Sequence, residues 1–159
     1  MNVNYFTPTV MIKRLEPLLI GNHVSVVVSM MAIINGGLLV SSYSASKHAL
    51  YGYLCSLRQE YKKFGKNISL SIGCPYAINT TMFQGFRTKL DMVVRVLDEK
   101  YVAQRLVKEF VERKEECFMY IHQAYVFKLF SMLPNQVIDF LSVKLDVSRY
   151  AQQAKKTAW

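Results

Sequence analysis

Two side chains in the first third of the sequence have types and a spacing that suit proton transfer. Tyr43 and Lys47 lie four residues apart in a segment of helical periodicity, so they share one helix face, one turn apart. A free phenol ionises near pH 10, and an ammonium about 5 Å away favours its ionised form by roughly 3 kcal/mol at an effective dielectric constant of about 20. A phenol so placed can exchange the proton of an alcohol. Tyrosine and lysine also occur at this spacing by chance, which leaves a purely structural role open.

The elements that would position this pair alternate between helices and strands. Periodicity predicts helix, strand, helix, strand, helix, strand and helix over residues 7–19, 23–29, 43–63, 68–73, 99–113, 118–121 and 124–145. We expect Thr7 to cap the first helix, Pro17 to kink or shorten it, and Pro134 to interrupt the last. The first strand is almost wholly apolar, which is typical of burial on both faces. The alternation predicts a parallel sheet covered by helices on both faces.

Further motifs surround the pair in a fixed order. The run YSASKHAL at 43–50 resembles the active-site helix of the short-chain dehydrogenases/reductases, and, as in that family, it follows a β-branched strand that ends in Ser29. The run CPYAINT at 74–80 resembles the family's Pro-Gly-x-Ile/Val-x-Thr loop. The run VNY at 3–5 resembles the segment that supplies its active-site asparagine. The resemblance covers roughly residues 2–110.

The resemblance implies a fold and a domain organisation. It places residues 1–115 in the C-terminal half of a doubly wound, Rossmann-like α/β domain, and residues 116–159 in the last strand and an apolar helical extension. The family's dinucleotide-binding half would precede Met1. The sequence has no match to its glycine-rich turn, which lets the backbone approach the cofactor pyrophosphate at a helix N-terminus. We therefore expect the adenosine part of the cofactor site to be missing from these residues.

The resemblance also implies roles for particular residues. Tyr43 would be the catalytic acid/base, Lys47 would support its ionisation and bind the nicotinamide ribose, and Asn4 would belong to the proton relay. The cofactor would be NAD or NADP. Beside the Tyr43–Lys47 pair, its nicotinamide end would contact three residues of the 74–80 loop, namely Pro75, Ile78 and Thr80.

Two positions depart from the family pattern. The family's catalytic serine stands thirteen residues before the tyrosine, where this chain has Met30, and a thioether cannot donate a hydrogen bond to a substrate oxygen. Ser29 is the adjacent candidate, although a step of one residue along a strand points its side chain to the opposite face unless the strand end is bulged. The loop glycine after Pro75 is replaced by Tyr76, which we expect to crowd the nicotinamide.

Downstream features narrow the resemblance to one branch of the family. Segments 79–86 and 99–103, with Leu133 and Pro134 in the apolar C-terminal region, look most like membrane- and lipid-droplet-associated retinol dehydrogenases and 17-beta-hydroxysteroid dehydrogenases. This branch implies an apolar alcohol or carbonyl substrate, such as a retinoid, a steroid or a fatty alcohol. It also implies a location on the cytosolic face of the endoplasmic reticulum membrane or on a lipid droplet, with the cytoplasm as the alternative.

Composition limits the other function classes. Hydrophobic residues make up 52% of the chain and charged residues 19%, which excludes a disordered tail. The net charge of +9 is dispersed along the chain, so we expect no nucleic-acid binding, and attraction to an anionic membrane surface is the stronger interpretation. The three cysteines lack C-x-x-C spacing and the three histidines are scattered, so neither a disulfide framework nor a metal site is predicted.

A different class of function also fits the sequence. Without a complete cofactor site, the chain would be a catalytically inactive homologue that acts by association with a full-length relative or a membrane surface. In the family, the first helix and the Tyr/Lys helix form the subunit interface, so residues 7–19 and 43–63 would mediate such pairing or a homo-oligomer. The strand at 24–29 would also have an unpaired edge without charges or prolines, and such edges recruit other chains.

Overall fold

A three-stranded parallel sheet with helices packed against it forms the body of the chain. The computed structural model describes residues 1–34, 40–80 and 96–144. The helices are α1 (Thr7–Leu19), α2 (Ser41–Lys63), α3 (Glu99–Val111), α4 (Ile121–Phe130) and α5 (Asn135–Lys144), and the strands are β1 (His23–Val27), β2 (Ser69–Cys74) and β3 (Glu116–Phe118). A π-helical turn, Asn2–Phe6, precedes α1, and a short 3-10 helix, Met30–Ala32, follows β1.

The sheet has the order β1-β2-β3, with both pairs of strands parallel. Parallel neighbours cannot be joined by a tight turn, so α2 lies on the connection from β1 to β2, and α3 lies on the connection from β2 to β3. The predicted α/β class and parallel sheet are confirmed. The residue pairs at the ends of the two ladders are His23↔Ser69, Val27↔Gly73, Ile72↔Glu116 and Cys74↔Phe118.

The main hydrophobic core lies between α2 and one face of the sheet. Apolar side chains at helical spacing occupy the buried side of α2: Leu50, Leu54, Leu57 and Tyr61. They belong to one buried cluster with Leu70 and Ile72 of β2. Gly65, with φ +65°, follows α2 in the left-handed conformation, which glycine adopts without strain at the end of a helix.

α3 covers the other face of β2 at close range. A Cβ on Gly73 would lie 2.8 Å from Leu106 Cδ2 and 2.9 Å from Phe110 Cζ, so the glycine is what lets the helix approach the sheet. Asp98 caps the helix, because its side chain accepts hydrogen bonds from two backbone N–H groups of the first turn. A second buried cluster lies along α3 and β3 and contains Leu97, Val102, Leu106, Cys117 and Met119.

β1 differs from the predicted strand in length and in burial. It ends at Val27, because the chain turns at Ser29 into the 3-10 helix. The prediction that both of its faces are buried is wrong, since Ser25 is exposed and Val27 is 48% exposed. β2 is buried along nearly its whole length because it has a strand on each side. β1 has no neighbour on its outer side within the described residues.

The C-terminal elements also depart from the predicted boundaries. β3 begins two residues earlier than expected and is shorter, because Tyr120 is already the N-cap of α4. α3 stops at Val111, two residues early, since Arg113 adopts a left-handed φ of 54°. The predicted last helix is two helices with Pro134 between them, as expected. The motif residues at 81–86 and the chain from 145 to 159 lie outside the described residues.

Two expectations concern the course of α1. Pro17 does not end the helix, which continues for two more residues, because a proline removes only one backbone N–H. Thr7 is not the cap either: the N-cap residue is Phe6, which makes no side-chain cap hydrogen bond. In the preceding π-helical turn, the backbone N–H of Thr7 already donates a hydrogen bond to the Asn2 carbonyl. The Thr9 side chain donates a hydrogen bond back to the Phe6 carbonyl at 3.0 Å.

Candidate active site

The Tyr43–Lys47 pair lies in the first two turns of α2, at the carboxyl end of the sheet. Both side chains are half-buried, and Lys47 Nζ lies 5.8 Å from the centroid of the Tyr43 ring. This distance is within the range of a cation–π contact. The one-turn spacing therefore brings the Lys47 ammonium close to the Tyr43 ring, at the carboxyl ends of the strands, where open α/β folds bind their ligands.

Burial changes the titration of the groups around Lys47. The pKa of Lys47 is lowered, chiefly by burial, with a smaller opposing effect from Cys74. Cys74 is the last residue of β2, and its own burial is the main reason that the pKa of its thiol rises to about 12. Lys47 thus gives up its proton more readily than an exposed lysine, beside a thiol that stays protonated at neutral pH.

Asn4 reaches the start of α2 through a serine. Its Nδ2 donates a hydrogen bond to Ser46 Oγ at 3.1 Å, and Ser46 Oγ donates to the backbone carbonyl of Tyr43 at 2.7 Å. The structure therefore places Asn4 in a polar row beside the Tyr43–Lys47 pair. Sequence reasoning missed Ser46, which is almost fully buried. Its position inside the YSASK run, next to Lys47, was the available signal.

Ser29 and Met30 lie in different surroundings at the end of β1. Ser29 Oγ accepts a hydrogen bond from the backbone N–H of Met31 at 3.2 Å, and so caps the 3-10 helix. A hydroxyl that accepts in this way still has a proton to donate. Met30, at the place of the family's serine, is buried in the main core, and its backbone N–H donates to the Pro75 carbonyl at 2.9 Å. Of these two side chains, only Ser29 offers a hydroxyl.

The loop after β2 carries the three residues expected at the nicotinamide. Pro75 is held by the hydrogen bond from Met30, and Ile78 pairs with Leu97 in an isolated parallel bridge. The backbone N–H of Thr80 donates to the Ile78 carbonyl at 2.7 Å. These contacts fix the course of the loop from the end of β2 to Thr80.

Tyr76, which replaces the family's loop glycine, packs against α4. Its ring stacks on Phe127, with 5.4 Å between the ring centroids and 8° between the planes. Burial raises the pKa of Tyr76 to about 12, so its phenol is neutral at physiological pH. The stack joins the candidate cofactor loop to α4.

A charged cluster joins α2, β3 and α4 one turn beyond Lys47. Tyr51 donates a hydrogen bond to Glu116 Oε1 at 3.0 Å, and Arg58 Nη2 lies 3.5 Å from the same oxygen. Lys128 Nζ lies 3.2 Å from Glu116 Oε2. Sequence reasoning missed this cluster because its members are distant along the chain. The only local signal was the position of Tyr51, four residues after Lys47 on the same helix face.

Opposing effects set the pKa values within this cluster. Burial raises the pKa of Glu116, but hydrogen bonds from Lys128 and Tyr51 and the positive charges of Lys128 and Arg58 outweigh it, so the pKa is lowered. The pKa of Tyr51 is raised, first by burial and then by the charge of Glu116. At neutral pH the cluster therefore contains a carboxylate, two cations and a neutral phenol.

Within residues 1–34, 40–80 and 96–144, no group of three or more His, Cys, Asp or Glu side chains is arranged to hold a metal ion. Among the helices described there, none combines the length and the apolar composition needed to cross a membrane.

Proteins of known sequence are similar to this chain. Residues 1–91 match the family model described as short chain dehydrogenase. Short-chain dehydrogenase/reductase family 16C member 6 from Bos taurus is 31% identical over 121 residues, which cover 73% of this chain and 38% of that protein. Epidermal retinol dehydrogenase 2 from Mus musculus is 30% identical over 167 residues, which cover 98% of this chain and 53% of that protein. The chain spans about half the length of these relatives, or less.

Solved structures share the fold. A short chain dehydrogenase from Burkholderia cenocepacia in complex with NADP matches with a TM-score of 0.69 at 19% identity, over 88% of this chain and 56% of that one. A 4-hydroxyisoleucine dehydrogenase complexed with NADH and succinate matches with a TM-score of 0.53 at 20% identity, over 73% of this chain and 53% of that one. At such identities, the likeness concerns the fold alone.

Proposed function

This chain belongs to the short-chain dehydrogenase family, and we propose that it carries the catalytic residues of an NAD(P)-dependent oxidoreductase that interconverts an alcohol and a carbonyl group. The observation that supports this most is the contact between Tyr43 and Lys47, with 5.8 Å from the Lys47 Nζ to the ring centroid. A phenol beside an ammonium can give a proton to a carbonyl oxygen, or take one from an alcohol.

Each group near the pair has a separate task in this proposal. Tyr43 protonates the carbonyl oxygen during reduction and removes the alcohol proton during oxidation. Lys47 stabilises the ionised phenol and hydrogen-bonds the nicotinamide ribose. Asn4, through Ser46, holds the first turn of α2 and joins the path by which protons are replaced. Ser29 donates its hydroxyl proton to the substrate oxygen, the task that Met30 cannot perform.

The residues present fit one end of a dinucleotide. Pro75, Ile78 and Thr80 lie on a loop of fixed course, where Thr80 can hydrogen-bond a carboxamide. The nicotinamide, when bound, supplies or accepts the hydride. No glycine-rich turn for the pyrophosphate occurs in the 159 residues, so we expect this chain alone to bind NADH and NADPH weakly. Calorimetric titration checks this, and micromolar binding would reveal a different phosphate site.

The proposed substrate is an apolar alcohol or carbonyl compound. Aromatic side chains surround the loop end of the sheet, where Tyr76 stacks on Phe127 and the partly buried Phe118 belongs to the same core cluster. The name of the relative from Mus musculus identifies that protein as a retinol dehydrogenase. We therefore infer that the substrate of this chain is a retinoid, a steroid or a fatty alcohol. Retinoids are the first of the three to test.

A chimeric enzyme tests the proposal with a complete cofactor site. The segment of the Mus musculus epidermal retinol dehydrogenase 2 that precedes its match to this chain is joined to Met1, and retinaldehyde reduction is followed with NADH and with NADPH. We expect saturable turnover that Lys47→Met removes and that Lys63→Met, at an exposed lysine of the same helix, leaves unchanged. A chimera that folds and binds NADH, yet reduces no retinaldehyde, steroid ketone or fatty aldehyde, would contradict the proposal.

A second candidate function is association with a membrane surface, which an exposed apolar face favours. α4 and α5 turn large side chains to solvent, namely Ile121, Tyr125, Leu129, Phe140 and Val143. Lys128 and Lys144 lie on the same two helices, in a chain of net charge +9. Apolar helix faces combined with lysines suit the interface of an anionic membrane. In this proposal the face rests on the cytosolic side of the endoplasmic reticulum membrane or on a lipid droplet.

Vesicle flotation tests the membrane-surface candidate. We expect the chain to float with vesicles that contain phosphatidylserine, and Leu129→Glu to reduce the bound fraction severalfold. Val10→Glu, at an exposed valine of α1, is the matched control and should leave it unchanged. Equal flotation of the Leu129→Glu variant would exclude this surface. Flotation together with an inactive chimera would instead identify a catalytically inactive homologue that acts by association.

A further inference from the structure

α4 begins at the carboxyl end of the sheet, beside the candidate cofactor loop. Met119 and Tyr120 are the only residues between the end of β3 and the start of this helix. The parallel register places Phe118 of β3 next to Cys74, the last residue of β2, where the chain enters the loop at residues 75–80. The short connection therefore fixes the start of α4 close to that loop.

One side of α4 faces the rest of the chain. Ala124 is 3% exposed, and the partly buried Phe127 packs against the main core. With Lys128, these residues stand at positions i, i+3 and i+4, a spacing that puts three side chains on one side of a helix. Tyr125 and Leu129 lie on the other side, and each is 68% exposed. The inner side of α4 thus ends in a ring and an ammonium at adjacent positions.

These two adjacent side chains contact different parts of the candidate site. The Phe127 ring stacks on Tyr76 of the cofactor loop, with 5.4 Å between the ring centroids and 8° between the planes. Lys128 Nζ lies 3.2 Å from Glu116 Oε2 and 5.5 Å from the centroid of the Phe118 ring. Residues two apart on a strand point to the same face, so both contacts of Lys128 are with one face of β3. The ring therefore holds the loop, and the ammonium holds the strand.

The carboxylate of Glu116 extends this link to the catalytic helix. Its Oε1 accepts a hydrogen bond from Tyr51 at 3.0 Å, and Arg58 Nη2 lies 3.5 Å from the same oxygen. Tyr51 follows Lys47 by one turn on α2. A contiguous row of contacts therefore runs from the cofactor loop through α4 and β3 to the helix that carries the candidate catalytic pair.

We propose that Phe127 and Lys128 form a clamp that holds the nicotinamide loop against the catalytic helix. The inference rests on the proposed function, which assigns the loop to the cofactor. Both are positioning residues, since neither has to touch the cofactor or the substrate. Tyr76 is needed for this arrangement, because the glycine of the family pattern would offer no side chain for α4 to contact. Each contact is weak alone, as Lys128 is 46% exposed, so we expect the two contacts to act together.

Hydrogen exchange of the 159-residue chain tests the clamp without any catalysis. Phe127→Leu removes the stack, and we expect the amides of residues 76–80 to exchange about two- to tenfold faster while those of β2 keep their rates. Lys128→Met should also speed exchange in the loop, although the ion pair of Lys128 is with β3. Phe127→Tyr keeps a ring to stack and should leave the loop unchanged, as should Lys108→Met at an exposed lysine of α3.

Two results of this exchange experiment would overturn the proposal. One is a loop that keeps its rates in either Phe127→Leu or Lys128→Met. The other is equal acceleration in the loop and in β2, because a general loss of stability opens both segments together.

Cofactor binding by the chimeric enzyme gives the functional readout. In calorimetric titration with NADH, Phe127→Leu should raise Kd about two- to tenfold, Phe127→Tyr should keep the original value, and Phe130→Leu, the same change three residues later, should have no effect. Because the two contacts act together, the rise in the double variant with Lys128→Met should be smaller than the product of the two single rises. A mere loss of folded protein would lower the number of binding sites and leave Kd unchanged.

The titration separates the clamp from the proposed reaction. An unchanged Kd in Phe127→Leu, or single rises that multiply in the double variant, would overturn the clamp. A chimera that shows the expected Kd values and yet turns over no substrate would contradict the proposed function and support the clamp.

Discussion

The two edges of the sheet are built from different kinds of side chain. At the β3 edge, Glu115 and Glu116 meet cations from α2 and α4, namely Arg58, Lys62 and Lys128. At the β1 edge, the strand itself has no acidic or basic residue apart from the terminal His23, and a groove with exposed valines lies beside it. One edge carries ion pairs within the chain, and the other has no neighbouring strand among the described residues.

The β3 side of the sheet supports the helix that carries the candidate site. Tyr51 lies one turn after Lys47 on α2 and donates a hydrogen bond to Glu116, so contacts within the chain hold this part of the helix beside the sheet. β1 leads into the 3-10 turn with Ser29, and it has no neighbour on its outer side among the described residues. We therefore expect the geometry of the candidate site to depend mainly on β2, β3 and α2.

The largest expected loss of stability comes from substitution of Gly73, the glycine that lets α3 approach the sheet. Gly73→Ala introduces a Cβ at 2.8 Å from Leu106 and 2.9 Å from Phe110, so α3 must shift. Overpacking of this kind typically costs about 1–3 kcal/mol of unfolding free energy. Gly52→Ala is the control, because a Cβ there meets nothing within 4 Å, and it should stabilise α2 by about 0.5–1 kcal/mol. Urea unfolding of both variants checks the contrast, and equal stabilities would mean that α3 does not pack on β2 as described.

A somewhat smaller loss of unfolding free energy is expected when the negative charge of Glu116 is removed from the β3 edge. Glu116→Gln leaves Lys128 and Arg58 without their carboxylate, and because the site is partly solvated we expect a cost of about 1–2 kcal/mol at neutral pH. The pKa of Glu116 is lowered in the folded state. Its stabilising effect is therefore complete above the pKa of an unfolded glutamate and is lost as the pH falls through the lower folded value.

The pH dependence distinguishes this charge effect from a loss of packing. The difference between Glu116→Gln and the unmodified chain should be constant from pH 6 to 8, within roughly a few tenths of a kcal/mol, and shrink below about pH 4. Glu60→Gln, at an exposed glutamate of α2, should leave stability unchanged throughout. If the loss of unfolding free energy in Glu116→Gln is as large in acid as at neutral pH, Glu116 stabilises the chain through packing and not through its charge.

The smallest effect is expected at β1. Val27 is 48% exposed and Val28 is 3% exposed, although they are neighbours at the same strand end. Val28→Thr buries a hydroxyl and should cost about 1–2 kcal/mol of unfolding free energy, whereas Val27→Thr should cost about 0.5 kcal/mol or less. Thermal unfolding of both variants makes the comparison. Equal costs would show that the sheet face that carries Val27 is covered.

Local patterns predicted much of this architecture, because they act over a few residues. The helical period of α2 and the strand at β2 are each predicted from neighbouring positions, and both were confirmed. Burial of β1 on both faces was predicted wrongly, because burial depends on what lies beside a strand. Its sequence is typical of a central strand, and the neighbour that such a sequence requires is not among the described elements.

Contacts of the candidate site within one helix could be predicted from the sequence, and contacts between distant elements could not. The contact of Tyr43 with Lys47 follows from their spacing alone. The link from Asn4 through Ser46 and the meeting of Tyr51 with Glu116 join residues 42 and 65 positions apart, so no local pattern could place them. The family motif placed Met30 at a catalytic position, but the core around this methionine buries it.

Phenol chemistry at position 43 is the central claim, and one rate comparison in the chimeric enzyme tests it most directly. Retinaldehyde reduction is measured for Tyr43→Phe and for Tyr53→Phe, the same change on the same helix, where the hydroxyl is buried without a partner among the described residues. Removing a general acid typically costs about 100-fold or more in rate. We predict a loss of at least that size in kcat/KM for Tyr43→Phe and an unchanged value for Tyr53→Phe. A Tyr43→Phe variant that keeps its rate within a few-fold, while still binding NADH, would show that the pair is structural.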